Sequence, residues 1–142
     1  MNEYNIKGIP HDGVPSLWRF AEPFIKRALD HTFGELGADD IQAACMSRDM
    51  QLWMIAKGNR VVGAGTTMII PYPKMKVCRI VTLAGTEFDA WKDMAHAFIE
   101  IWADVQMGCE DVECYVRKGF VPKLLEMGYR HRYSVCHKKL KG

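Results

Sequence analysis

The chain has 142 residues, a formal net charge of +2, 49% hydrophobic and 25% charged residues. That profile predicts a single globular domain, 1–142, with enough core to fold without staples. So mild a charge does not by itself argue for nucleic acid, and no run approaches the roughly 18 apolar residues of a membrane span. Five cysteines (Cys45, Cys78, Cys109, Cys114, Cys136) without a C-x-x-C pair predict thiols packed as small hydrophobes in a reducing cytoplasm.

The opening "MNEYNIKGIPHDG" is polar and glycine-broken, unlike a secretion signal. Within it "EYNIKGIP" reads as a short strand ended by Pro10 and a His-Asp-Gly turn. From Ser16 onward Leu17, Phe20, Ala21, Phe24, Ile25, Ala28 and Leu29 recur at helical spacing. Pro23 interrupts the run and predicts a kink, or a second helix with proline in its first turn. Gly34 and Gly37 close this segment, and a short helix with acidic residues at its start follows over 39–46.

Next, "MQLWMIAKGNRVVGAGTTMII" places two apolar runs around a Gly58-Asn59 turn, the pattern of a hairpin. Gly63 and Gly65 within the second strand predict a bulge or a close approach by another group. The run 76–84 is apolar on both faces apart from Arg79 and Thr82, as a central strand would be. The helix after it carries the stripe Phe88, Trp91, Met94, Ala95, Phe98, Ile99, Trp102 and Val105, with Thr86 and Asp89 as a capping pair and Gly108 as its stop. "DVECYVR" then reads as a strand, "FVPKLLEM" as a short helix ended by Gly128, and "YRHRYSVCHKKL" as a closing strand. The order predicts an α+β layered fold, a mostly antiparallel mixed sheet with helices on both faces and one parallel crossover from the central strand.

This order resembles the GNAT acyltransferase family, through the hairpin "LWMIAKGNRVVGAG", the central strand "VCRIVTLAG" running into a long amphipathic helix, and "VPKLLEMGY" ending in Gly128 and Tyr129. The ending "RKGFVPKLLEMGYRHRYSVCHKKL" is also similar in texture to small GNAT-like proteins of tailed phages. The resemblance implies that acyl-CoA, acetyl-CoA in the usual case, lies where the central strand parts from its parallel neighbour. Its pantetheine arm would pair with the backbone of Thr82, Leu83 and Ala84, and its pyrophosphate would sit at Gly85 and Thr86. The chain departs from the family at that loop, which lacks the R/Q-x-x-G-x-G/A pattern and has carboxylates at Glu87 and Asp89, where the helix's positive end would otherwise meet phosphate. It departs again at Leu124, where many members carry the tyrosine that protonates the leaving thiolate.

The catalytic candidates that remain are Glu87 as base for the amine, and Tyr115 and Tyr129 as proton donors. Glu87 also reads as a helix-capping acid, Tyr129 as a packing aromatic and His96 as a histidine at the edge of the apolar stripe. Cys109, Cys114, His131 and His137 have finger-like spacing within each pair but too long a separation between pairs, so no metal is expected. The basic residues concentrated from Arg117 to Lys141 read as a lysine-guarded strand edge, with nucleic-acid contact as the lesser alternative. The function implied is an acyl-CoA-dependent N-acyltransferase with an abbreviated cofactor loop and an amine acceptor, encoded by a phage and working in host cytoplasm or virion. The alternative is a catalytically degenerate GNAT-like scaffold acting as a phage virion-associated or protein-binding module.

Overall fold

The computed structural model describes residues 3–32 and 34–142. Strand β1 (Tyr4–Ile9) leads through a 3₁₀ turn into α1 (Val14–Leu29), and α2 (Ala38–Met46) follows. The hairpin is β2 (Gln51–Lys57) and β3 (Arg60–Tyr72), and β4 (Met75–Gly85) is the long strand after it. Helix α3 (Phe88–Ile101) ends in a π-helical turn, and β5 (Asp111–Cys114) and α4 (Val121–Glu126) complete the elements. The sheet order is β1-β2-β3-β4-β5, antiparallel throughout except for the parallel β4–β5 pair.

Strand alternation builds a core on each face. Leu52 and Met54 of β2 turn towards α1 and α2, where they pack with Trp18, Ala21, Ile25 and Ile41. Trp53 and Ile55 turn the other way and pack with Trp91, Ala95 and Ile99 of α3. Helices α1 and α3 therefore lie on opposite faces of the sheet. Among the described residues no helix is long and apolar enough to cross a membrane.

Four expectations change. Helix α1 runs through Pro23 without breaking into two; Pro23 is exposed, so the Arg19 carbonyl that loses its partner faces water and the break is not forced. Thr86 does not cap α3. Its N–H instead extends the β3 ladder by donating to the Val62 carbonyl at 2.8 Å, and the N-cap is Glu87, which makes no capping bond through its side chain. The strand read over 111–117 is only four residues long. The closing strand does not form, because residues 129–142 adopt neither helix nor strand. Cations at Arg130, Arg132 and Lys138 and imidazoles at His131 and His137 leave neither face of that segment apolar, and β5 offers a short template.

Candidate active-site gap between β4 and β5

Parallel pairing holds from Val77↔Asp111 to Ile80↔Cys114 and then stops, while β4 continues to Gly85 against β3 alone. The cause is local. Thr66 faces Thr82 and Thr67 faces Ile80, so Val81 is an extra residue in β4, and such a bulge bends and twists its strand. Beyond it a cavity of about 270 Å³ opens, lined by residues 80–85 of β4, residues 114–117 after the split, Phe88 and His96 of α3, Leu124 of α4 and Phe120 just before it.

Hydrogen bonding in an antiparallel pair alternates. The Thr86 N–H bond to Val62 sets the phase, so Ala84 and Thr82 exchange bonds with Ala64 and Thr66 across the register. Leu83 and Gly85 consequently turn their N–H and C=O groups towards the gap. Of the three backbone positions expected to hold a carrier arm, Leu83 is open, while Thr82 and Ala84 are committed to β3. The Thr82 hydroxyl is likewise committed, 2.7 Å from that of Thr66 in the buried sheet.

The close approach expected at Gly63 is made by Trp91. A Cβ on Gly63 would lie 2.6 Å from Trp91 Cζ2, and one on Gly85 would lie 2.8 Å from the same atom. The indole rests on these two glycines and donates Nε1–H to the Thr86 carbonyl at 2.8 Å. That pins the two-residue turn joining β4 to α3.

Glu87 stands in this turn in the left-handed conformation, φ 56°. Its carboxylate accepts from Tyr4 Oη at 2.8 Å, Lys57 Nζ at 3.3 Å and Arg60 Nη2 at 3.2 Å. The Tyr4 hydrogen bond first, and then Lys57, hold its carboxyl below the ordinary value. It is not among the residues lining the gap, so the sequence-predicted base is drawn to β1 and the hairpin. Asp89 pairs with Lys123 at 3.0 Å. Both carboxylates therefore serve cations elsewhere and do not cap the helix.

Of the two tyrosines, Tyr115 lines the gap at its rim, 64% exposed. Its hydroxyl accepts from Arg79 Nη2 at 3.0 Å, with the guanidinium 4.2 Å from its ring centroid. Tyr129 lies behind the apex. Its hydroxyl is 2.9 Å from His96 Nδ1, 3.4 Å from Glu100 Oε2 and hydrogen-bonded to the Cys114 thiol. Burial raises the Tyr129 phenol, pushes Cys114 up to about 12 and lowers His96 to about 4, because each pays to carry charge away from water. Neutral His96, 3% exposed and lining the gap, is the residue that sequence reasoning placed at the margin. Its one available signal was a histidine four residues before Glu100 on a helix flanking the predicted cleft. Leu124, the position at which the resemblance implied a tyrosine, is buried. Among the described residues no three His, Cys, Asp or Glu side chains are grouped to hold a metal.

Similarity to known proteins lies in structure. No protein-family model matches the chain, and no curated protein matches it in sequence. An aminoglycoside acetyltransferase from an uncultured soil metagenomic sample, in complex with sisomicin, superposes with a TM-score of 0.70 at 13% identity, covering 99% of this chain and 98% of that one. Glucosamine-6-phosphate N-acetyltransferase from Arabidopsis thaliana gives 0.67 at 14%, covering 97% and 99%. An aminoglycoside N-acetyltransferase in complex with CoA gives 0.66 at 11%, covering 97% and 95%. The protein has the GNAT acetyltransferase fold.

Proposed function

We propose that the gap is the acyl-carrier slot of an acyl-CoA-dependent N-acyltransferase, with acetyl-CoA as its donor. One observation carries the reading: pairing ends at Ile80 and Cys114 while β4 runs on, leaving the backbone of Leu83 and Gly85 open to a cavity. A pantetheine arm carries amide groups, so it can pair with those positions as a strand would. The CoA complex of a protein sharing the fold supports this choice of ligand. Cys114 and, behind it, Tyr129 sit at the apex, where a hydrogen bond to the departing sulfur is needed. Tyr115 borders the acceptor at the rim. Glu87 takes no part in proton transfer, being held by Tyr4, Lys57 and Arg60.

The Thr86-Glu87 turn favours a second reading. It offers no loop for a diphosphate and has two acids beside it, which suits a GNAT-like scaffold without catalysis, such as a phage virion-associated or protein-binding module. Isothermal titration with acetyl-CoA separates the two. Saturable binding with a micromolar Kd supports the acyl-carrier slot, and no heat at millimolar acetyl-CoA favours the scaffold.

A further inference from the structure

The lining of the gap draws on both faces of the sheet, and its two ends differ in character. On the α3 face it is framed by Phe88, His96 and Phe120, with the two phenyl rings 5.9 Å apart. On the α1 face it is framed by Arg27, His31 and Arg117. No carboxylate is among the residues lining the cavity. Several cations elsewhere are matched: Lys57 and Arg60 with Glu87, Arg79 with Glu113, Lys123 with Asp89, and Arg132 with Asp111. At this end they are not. Arg27 stacks 5.6 Å from the Phe24 ring centroid, and Arg117 Nη1 lies 3.2 Å from His31 Nδ1, so among the described residues neither guanidinium has an acidic partner. The neighbouring acid, Glu113, is taken by Arg79 Nε at 2.8 Å.

Two unpaired guanidinium forks suit a carboxylate or phosphate, and an end of one sign repels polycations. We infer that the acceptor is an amine carrying a carboxylate or phosphate, held by Arg27 and Arg117 with its amino group directed into the gap, a specificity that rests on the acyl-transfer reading above. The carrier arm then enters by the α3 end and the acceptor by the α1 end. In the transfer the amine nitrogen forms a bond to the acetyl carbonyl carbon and the C–S bond breaks. The proton lost by the amine ends on the CoA sulfur, giving an N-acetyl product and free thiol.

The test begins with calorimetric binding of acetyl-CoA, which involves no acceptor; absence of binding overturns the acyl-transfer reading itself. Thiol release from acetyl-CoA is then compared for phosphoethanolamine, ethanolamine and diaminoethane, the same two-carbon amine with a negative, neutral and positive end. A second pair is β-alanine and its amide. The expected result is a kcat/KM higher by about tenfold or more for each anionic amine than for its neutral partner. The double variant R27E/R117E, altered only at exposed side chains, is expected to erase that advantage while leaving acetyl-CoA affinity within about twofold. Three results overturn the inference while leaving the acyl-transfer reading intact. These are equal or faster turnover of diaminoethane, no turnover of either anionic amine by protein that binds acetyl-CoA, and loss of acetyl-CoA affinity in R27E/R117E, which would assign the arginines to the phosphates of CoA.

Discussion

A side chain on Gly85 would overlap the Val62 carbonyl and stand 2.6 Å from Gly63 Cα and 2.8 Å from Trp91 Cζ2. Two of these neighbours are backbone and the third is locked by its bond to Thr86, so none can yield cheaply. Gly85→Ala is expected to lower unfolding free energy by about 3 kcal/mol in urea titrations; an unchanged midpoint would contradict the packing described. His96 makes a prediction of opposite kind, in pH. Burial holds its folded value at about 4 against an ordinary 6.5, so the unfolded chain takes up the proton first as pH falls. The stability at stake is fully present above 6.5 and is lost between 6.5 and 4, by about 3 kcal/mol. His96→Gln should lack that loss, so the wild-type-minus-variant difference should slope across pH 4 to 7, and parallel curves would refute it. Neither residue was equally legible beforehand. Two glycines in an apolar strand announce a close approach, whereas a histidine at the edge of a helical stripe gives no sign that Tyr129, thirty-three residues on, will seal it.

Elements with a clean period were readable, and those decided by competition were not. The hairpin, the central strand and α3 follow alternation or helical spacing that tertiary contacts reinforce. Pro23 signalled a kink or a second helix, and the second helix does not form because α1 buries Trp18, Ala21 and Ile25 on both sides of it, packing that outweighs one missing hydrogen bond on the solvent side. Pro23→Ala should therefore stabilise the protein, by about 1 to 3 kcal/mol in chemical denaturation, and a destabilised variant would mean that the helix depends on a bend there. The C-terminal segment shows the reverse case. Tyr129 meets Cys114 and Arg132 meets Asp111, the order an antiparallel sixth strand would have, but no ladder forms. Side-chain contacts alone set that alignment, because Arg130 and Arg132 charge one face, His131 and His137 interrupt the other, and β5 is only four residues long. The cap on α3 was misread for a related reason: Thr86 has the right chemistry for an N-cap, but its N–H and its hydroxyl both turn to the Val62 carbonyl of β3.

At the scale of the molecule, a bulge at Val81 parts two parallel strands and converts part of a closed sheet into a slot with two unlike ends. The fold could be inferred from element order, and so could the position of the slot, since both follow from which strands are neighbours. The chemistry around it could not. Which backbone groups face the slot depends on the phase of the β3–β4 ladder, and the removal of Glu87 from it depends on Tyr4, Lys57 and Arg60 converging from β1 and the hairpin. The central claim is that Leu83 and Gly85 present free backbone groups to a carrier arm, and amide NMR of the ¹⁵N-labelled protein titrated with acetyl-CoA tests it most directly. Large shifts are predicted at Leu83 and Gly85, saturating with ligand, with Ile6 on the far strand unmoved. Shifts that avoid residues 81–85, or none at millimolar acetyl-CoA, would contradict it.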